Sequence, residues 1–280
     1  MAQAGVEIEK SIPVPANGHV FINNDRGDVV VKGWDKNEIL VKGELSDNNQ
    51  ELLFKKKGEK TFIKINRRHG SHGGNSHSRG GNDLEVFIPK NAQLHFKGID
   101  TDFSVEGVFA KISGNSINGE LLIKNVHTQI HVSTISGDIR VSDSSGSVHV
   151  ETIRGDVSVK GEFEDANLQS VAGDIWADID HIKKLRTNNV AGSTIVEGHL
   201  IDDASIELAS VDGDIDYKAN GILNAECKIS TQFGGEINNN LTDDLPDKSQ
   251  MHSRKLRFIS GDGSGRVLIK TIVGRINIDD

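Results

Sequence analysis

Gly137-Asp-Ile-Arg-Val, Gly155-Asp-Val-Ser-Val and Gly173-Asp-Ile-Trp-Ala follow one another with their glycines 18 residues apart, and Gly119-Glu-Leu-Leu-Ile lies 18 residues before the first. Halfway between them sit stretches of the same alternating character: Ala110-Lys-Ile-Ser-Gly, Thr128-Gln-Ile-His-Val, Gly146-Ser-Val-His-Val and Glu164-Asp-Ala-Asn-Leu. A fixed internal period marks a stacked architecture in which each repeat buries its apolar face against its neighbours. The unit is two nine-residue halves, each a short strand and a turn, in constant register from about Thr101 to about Ile182.

Side chains along a strand point alternately to its two faces, so parity assigns inside and outside. One half places Leu121/Ile123, Ile139/Val141, Val157/Val159 and Ile175/Ala177 inward; the other places Ile130/Val132, Val148/Val150 and Ala166/Leu168 there. Ile117, Ile135, Ile153 and Val171 are expected to complete these columns from the corners. Coils stacked about 4.8 Å apart then enclose a thin aliphatic core. His131, Ser133, His149, Glu151, Asn167 and Gln169 fall on the outer face. The apolar period of two excludes a helix. The expectation is an all-β, single-domain β-solenoid with 18-residue coils of two short strands each, capped by irregular β-hairpins.

Beyond the regular region the theme continues at wider spacing through Val190-Ala-Gly-Ser-Thr-Ile, Val211-Asp-Gly-Asp-Ile and Phe233-Gly-Gly-Glu-Ile. The polar stretch from Asn238 to Arg254 reads as an exposed loop. Lys255-Leu-Arg-Phe-Ile-Ser, a Gly261-Asp-Gly-Ser-Gly turn and Arg266-Val-Leu-Ile-Lys-Thr-Ile read as a hairpin, with Gly274-Arg-Ile-Asn-Ile as a last strand. Residues 1–98 read as an irregular N-terminal β portion with a His/Gly loop at 66–82, continuous with the solenoid and its hairpin cap at 99–280 in one structural domain.

Composition narrows the function. Hydrophobic residues make up 35% and aromatic residues 5% of the 280, with 30 glycines, which fits short strands and Gly turns better than a thick layered core. A net charge of −9 argues against a nucleic-acid partner, since phosphate binding needs a clustered basic surface. The single cysteine, Cys227, excludes an internal disulfide and a Cys-rich zinc site. No apolar run is long enough to span a membrane. Ala2-Gln3-Ala4 has the small-x-small pattern found around a processing site, which points to a periplasmic, envelope or extracellular protein without its signal segment; a cytoplasmic start at Met1 is the alternative.

Several residues invite a chemical reading. Asp138, Asp156 and Asp174 stack one coil apart. Two bare charges at that spacing repel by about 1 kcal/mol in water and by about 3.5 kcal/mol at an effective dielectric of about 20, so each must be offset. The expected offset is turn N–H donors rather than calcium, because the Gly-Gly-x-Gly-x-Asp pattern is absent. His69, His72 and His77 are weak metal candidates on a Gly/Ser-rich segment, read as a solvated loop. His131 and His149 take the same outward position in successive coils, and Trp176 shares outward parity with Arg140; these four are the candidates for surface binding. No catalytic constellation and no cofactor site is expected, as the chain lacks a nucleophile-elbow Gly-x-Ser-x-Gly.

Gly27-Asp-Val-Val-Val-Lys-Gly-Trp-Asp-Lys-Asn-Glu-Ile, then Leu84-Glu-Val-Phe-Ile-Pro, then serial Ser-Gly-Asp-Ile units together resemble the adhesin-labelled β-strand-repeat family, domain of unknown function 4097. The likeness runs from about Val6 to Ile278, and the His-rich insertion near residue 72 departs from it. It implies a bacterial all-β protein often found behind a secretion signal or membrane anchor, and it carries no catalytic residues over. The expectation is a non-enzymatic envelope or surface protein, an adhesin or assembly scaffold presenting stacked sheet faces to an unknown protein or cell-surface glycan. A carbohydrate-binding or carbohydrate-active solenoid is the alternative, with Trp34, Trp176 and Tyr217 as its available aromatics.

Overall fold

Strand follows strand throughout the computed structural model, which describes residues 6–46, 50–67, 81–221, 223–248 and 253–280; no helix occurs among them. The chain divides into two compact units, Met1–Ser136 and Gly137–Asp280.

The first unit contains β1 (Val6–Pro13), β2 (His19–Trp34), β3 (Glu38–Leu45), β4 (Gln50–Lys57), β5 (Lys60–Arg67), β6 (Asn82–Pro89), β7 (Gln93–Glu106), β8 (Ile112–Asn118), β9 (Leu121–Lys124) and β10 (His127–Ser136). The long strands β2 and β7 pair in parallel along both halves of a coil, His19 opposite Gln93 and Val29 opposite Phe103. One sheet runs β4-β5-β2-β7-β8-β10 and the other β1-β3-β6-β2-β7-β9. The stretches 19–22 and 27–34 belong to one strand that passes a corner. The inner side of that corner is polar. Asn82 Nδ2 donates to Asn24 Oδ1 at 3.0 Å, and Thr101 Oγ1 donates to the Asn24 carbonyl at 2.9 Å. The outer strands β1, β3 and β4 run antiparallel to their neighbours, ending the parallel stack.

The second unit contains β11 (Ile139–Arg154), β12 (Val157–Ala172), β13 (Ile175–Ala191), β14 (Thr194–Asp212), β15 (Ile215–Ala219), β16 (Ala225–Thr231), β17 (Ile237–Asn239), β18 (Asp247–Lys248), β19 (Arg254–Ser260), β20 (Gly265–Val273) and β21 (Ile276–Asp279). Ile139, Val157 and Ile175 stand opposite one another, so the 18-residue register is the physical one. Every residue assigned inward by parity is buried: Val141, Val159, Ala177, Val150 and Leu168 are all 1% exposed or less. Burying such aliphatic side chains is worth about 1.5–3 kcal/mol each for Val, Ile or Leu, and the columns repeat that gain coil after coil.

Glycine sets the tight corner. Gly173 has φ +149°, and a Cβ there would lie 2.1 Å from the Gly155 carbonyl oxygen of the coil below. Only a residue without a side chain lets the coils approach that closely. At the opposite corner the left-handed position is filled by Asp143 (φ 50°), His181 (φ 60°) and Asp203 (φ 59°). Asp tolerates this conformation well.

Three expectations need correcting. Ile117, Ile135, Ile153 and Val171 do not enter the core; they are 42–47% exposed. The inside of that corner belongs to the preceding Ser116, Thr134, Thr152 and Ser170, whose hydroxyls reach glycine or neighbouring carbonyls, as Ser170 Oγ does to Gly155 O at 3.3 Å. Second, coil order is not chain order at the end. β20 pairs in parallel with both β14 and β16, and β21 with both β15 and β17, so the last coil of the chain is intercalated before the coil containing Phe233. Third, β19 and β20 form no hairpin, because β16 lies between them. The hairpin cap is made by β18 and β19, antiparallel to each other, with β19 antiparallel to β16.

Candidate functional site

The Gly-Asp corners carry the most repeated polar geometry. Asp138 Oδ1 accepts the Asp156 N–H at 2.9 Å, Asp156 Oδ1 accepts the Asp174 N–H at 2.8 Å, and Asp174 Oδ1 accepts the Ser193 N–H at 2.7 Å. The same contact recurs from Asp214 to Arg275 N at 2.7 Å across the intercalated coil. Each carboxylate is therefore used by the backbone of the next coil. This is a stacking device rather than an open ligand set.

The surface candidates of the second unit are not gathered in one row. Arg140 is exposed and ion-paired with Asp138 at 3.0 Å. Trp176 is half-buried in the same cross-strand row, separated from Arg140 by Ser158 and followed by Ile195. His149 lies on the other half of its coil, with Nε2 2.8 Å from Glu151 Oε1. His131 is exposed in the first unit. His69, His72 and His77 lie outside the described residues. Among the described residues, no group of three or more His, Cys, Asp or Glu side chains is placed to hold a metal ion. Tyr217, an aromatic of the carbohydrate alternative, is 1% exposed and serves the core. Trp34 is fixed by a bond from Nε1 to the Glu38 carbonyl at 2.9 Å and a tilted contact with Phe87.

What single-strand reading missed is a composite face on the first unit. Parallel pairing places Phe62 of β5, Phe21 of β2 and His95 of β7 in one outward row. Their rings stack, Phe62 on Phe21 at 5.1 Å and Phe21 on His95 at 4.8 Å between centroids. His19 stacks on His95 from the adjacent row at 6.1 Å. Phe62 is 37% exposed, which makes the row a surface ridge and not core. Burial holds His95 below the usual imidazole range, reinforced by His19, Lys111 and Lys60.

Lysines border the ridge on both sides. Lys60 stands opposite His19 and lies 5.9 Å from the Phe21 ring centre, while Lys64 and Lys97 stand opposite Asn23 on its two sides. Phe21, Phe62, Leu53, Asn23, Lys64 and Lys97 help to line a shallow trough of about 420 Å³ here. The sequence signal available was parity alone: in Gly18-His-Val-Phe-Ile, His19 and Phe21 alternate with buried Val20 and Ile22.

The other sheet of this unit has the opposite charge. Glu7, Glu44, Asp83, Asp28 and Asp102 align across β1, β3, β6, β2 and β7, and Asp102 Oδ1 accepts the Glu120 N–H at 2.7 Å. Burial, then the Asp102 and Asp83 carboxylates, push the Asp28 carboxyl above its ordinary range. Beside this row Glu85 receives Lys32 and Lys42, each at 2.7 Å, and is held below the usual carboxylate range by them.

Stacked parallel coils closed by antiparallel strands define a β-solenoid-like protein. The chain belongs to the Toastrack family, DUF4097, whose model matches residues 17–279. Two solved structures, each named a "putative adhesin", are similar in fold. One, from Parabacteroides distasonis, shares 13% identity over 98% of this chain and 97% of its own, with a TM-score of 0.52. The other, from Bacteroides fragilis, shares 15% identity over 98% and 97%, with a TM-score of 0.48. No curated protein matches the chain.

Proposed function

We propose that the chain is a non-enzymatic envelope or surface protein acting in adhesion or assembly, and that the outer face of the first unit's β4-β5-β2-β7-β8-β10 sheet is its binding surface. The observation that carries this reading is the Phe62-Phe21-His95 ridge with lysines on both sides, an apolar strip held open on rigid paired strands. Exposed apolar surface rimmed by charge marks interaction sites. Binding groups set on a sheet are positioned without the ordering cost that a loop incurs. The adhesin name of the similar structure from Parabacteroides distasonis agrees with the reading, and the fold supplies the stiffness it needs.

Antibody labelling of intact cells together with subcellular fractionation tests it. Labelling of unpermeabilised cells and recovery in the envelope fraction are expected. Recovery confined to the cytosol would overturn it.

A further inference from the structure

We propose that this ridge and trough bind an acidic polysaccharide, a chain of sugars bearing carboxylate or sulfate groups; the inference rests on the reading that this face is the binding surface. Three features of the face meet on that chemistry.

The first is charge. In a chain of net charge −9, Lys55, Lys57, Lys60, Lys64, Lys97 and Lys111 all lie on this one sheet face. None has an ion-pair partner among the described residues. The ridge row and the neighbouring trough row contain no carboxylate; Glu51, opposite Asn66, stands at the margin. Lys64 and Lys97 flank Asn23 one strand away on each side, so their backbones are two strand spacings, about 10 Å, apart. That arrangement favours an anion with repeated charges over a single compact one.

The second feature is the trough floor. Asn23, Asn115 and Ser113 present amide and hydroxyl groups with no side-chain hydrogen-bond partner among the described residues, beside the apolar Leu53 and Phe62. Sugars offer hydroxyls for such a floor and C–H surface for the ridge. A lipid bilayer would bring hydrocarbon against unpaired amides, which is costly.

The third is ring orientation. The rings stack on one another at 5.1 and 4.8 Å, and so leave no gap into which a nucleobase could slide. Single-stranded nucleic acid is held by bases stacking on free aromatic faces, and both faces of Phe21, at the centre of the ridge, are already covered.

Titration calorimetry on the full chain with polygalacturonate tests the proposal, with dextran, single-stranded DNA and phosphatidylglycerol vesicles as comparisons. Polygalacturonate is expected to bind, more weakly as salt rises, and dextran, DNA and vesicles at least about tenfold more weakly. The double variant Lys64→Glu/Lys97→Glu should lose about tenfold or more while keeping its melting temperature. Phe62→Ser, which retains every lysine, should lose about threefold or more, a loss that charge attraction alone does not give. Equal binding of DNA, preference for vesicles, indifference to these variants or absence of binding overturns the proposal. So does concentration-dependent self-association abolished by the lysine variant, which would assign the face to a second copy. Sedimentation with envelope fragments separates the two claims: if the full chain still sediments while polygalacturonate fails, the surface reading stands and the glycan assignment falls.

Discussion

Asp156 Oδ1 lies 2.8 Å from the backbone nitrogen of Asp174, one coil further along, and the Asp174 carboxylate repeats the contact at 2.7 Å to Ser193 N. The recurring Gly-Asp dipeptide thus has a structural cause at both of its positions. Glycine lets the corners approach, and aspartate accepts the N–H that the approach presents.

Asp156→Ala should remove that acceptor and cost about 1–2 kcal/mol. Asp156→Asn should cost less, since its amide oxygen can take the same bond. Urea denaturation of the three proteins measures the difference; equal stability of Ala and wild type would show that the contact contributes nothing.

The inner columns were legible because a strand alternates strictly, so Ile139/Val141 and Val148/Val150 could be placed from letters alone. The corners were not, because Ile153 and Thr152 are both β-branched and parity near a bend does not say which one turns inward. Packing decides for the threonine: its hydroxyl is 3.4 Å from the Gly137 carbonyl, while Ile153 is left 47% exposed. Intercalation of β20 and β21 was also hidden, since a repeat read along the chain assumes that neighbours in sequence are neighbours in the stack. The ridge was hidden for a related reason. Phe21, Phe62 and His95 belong to strands far apart in sequence, and each is an ordinary outward residue until parallel pairing aligns them.

Asp28 sits in the acidic row with its carboxyl raised by burial and by Asp102 and Asp83. A carboxyl raised in the folded state stabilises the fold only while protonated, and that contribution is lost as pH climbs through its folded value. Ionised Asp28 therefore opposes folding at neutral pH. Asp28→Asn should raise the melting temperature at pH 7, and the gain should disappear in acid, below the ordinary carboxylate range. A gain independent of pH would contradict the electrostatic cause.

Cys227 is 1% exposed, and its thiol, ordinarily near 9.0, is pushed up to about 12 by burial and then by Glu226. Burial, with Cys227 beside it, raises Tyr217 as well. Both groups favour the folded state in their neutral forms. Stability from the thiol is therefore complete below about 9 and is lost as pH rises toward about 12. Thermal melts from pH 8 to pH 11 should decline, with a shallower decline in Cys227→Ala, and native protein should resist thiol-specific disulfide reagents that label it in denaturant. Rapid labelling of the native thiol would show it to be accessible.

Coil geometry decides which apolar residues face outward and which the core keeps. Leu168 and Val171 lie three residues apart on β12, the first fully buried and the second 45% exposed at the corner. Paired melts of Leu168→Asp and Val171→Asp test this division. Burying an unpaired carboxylate should unfold Leu168→Asp or cost it more than about 4 kcal/mol, while Val171→Asp should stay within about 1 kcal/mol of wild type. Equal losses in the two variants, or a larger one at Val171, would contradict this assignment of inside and outside.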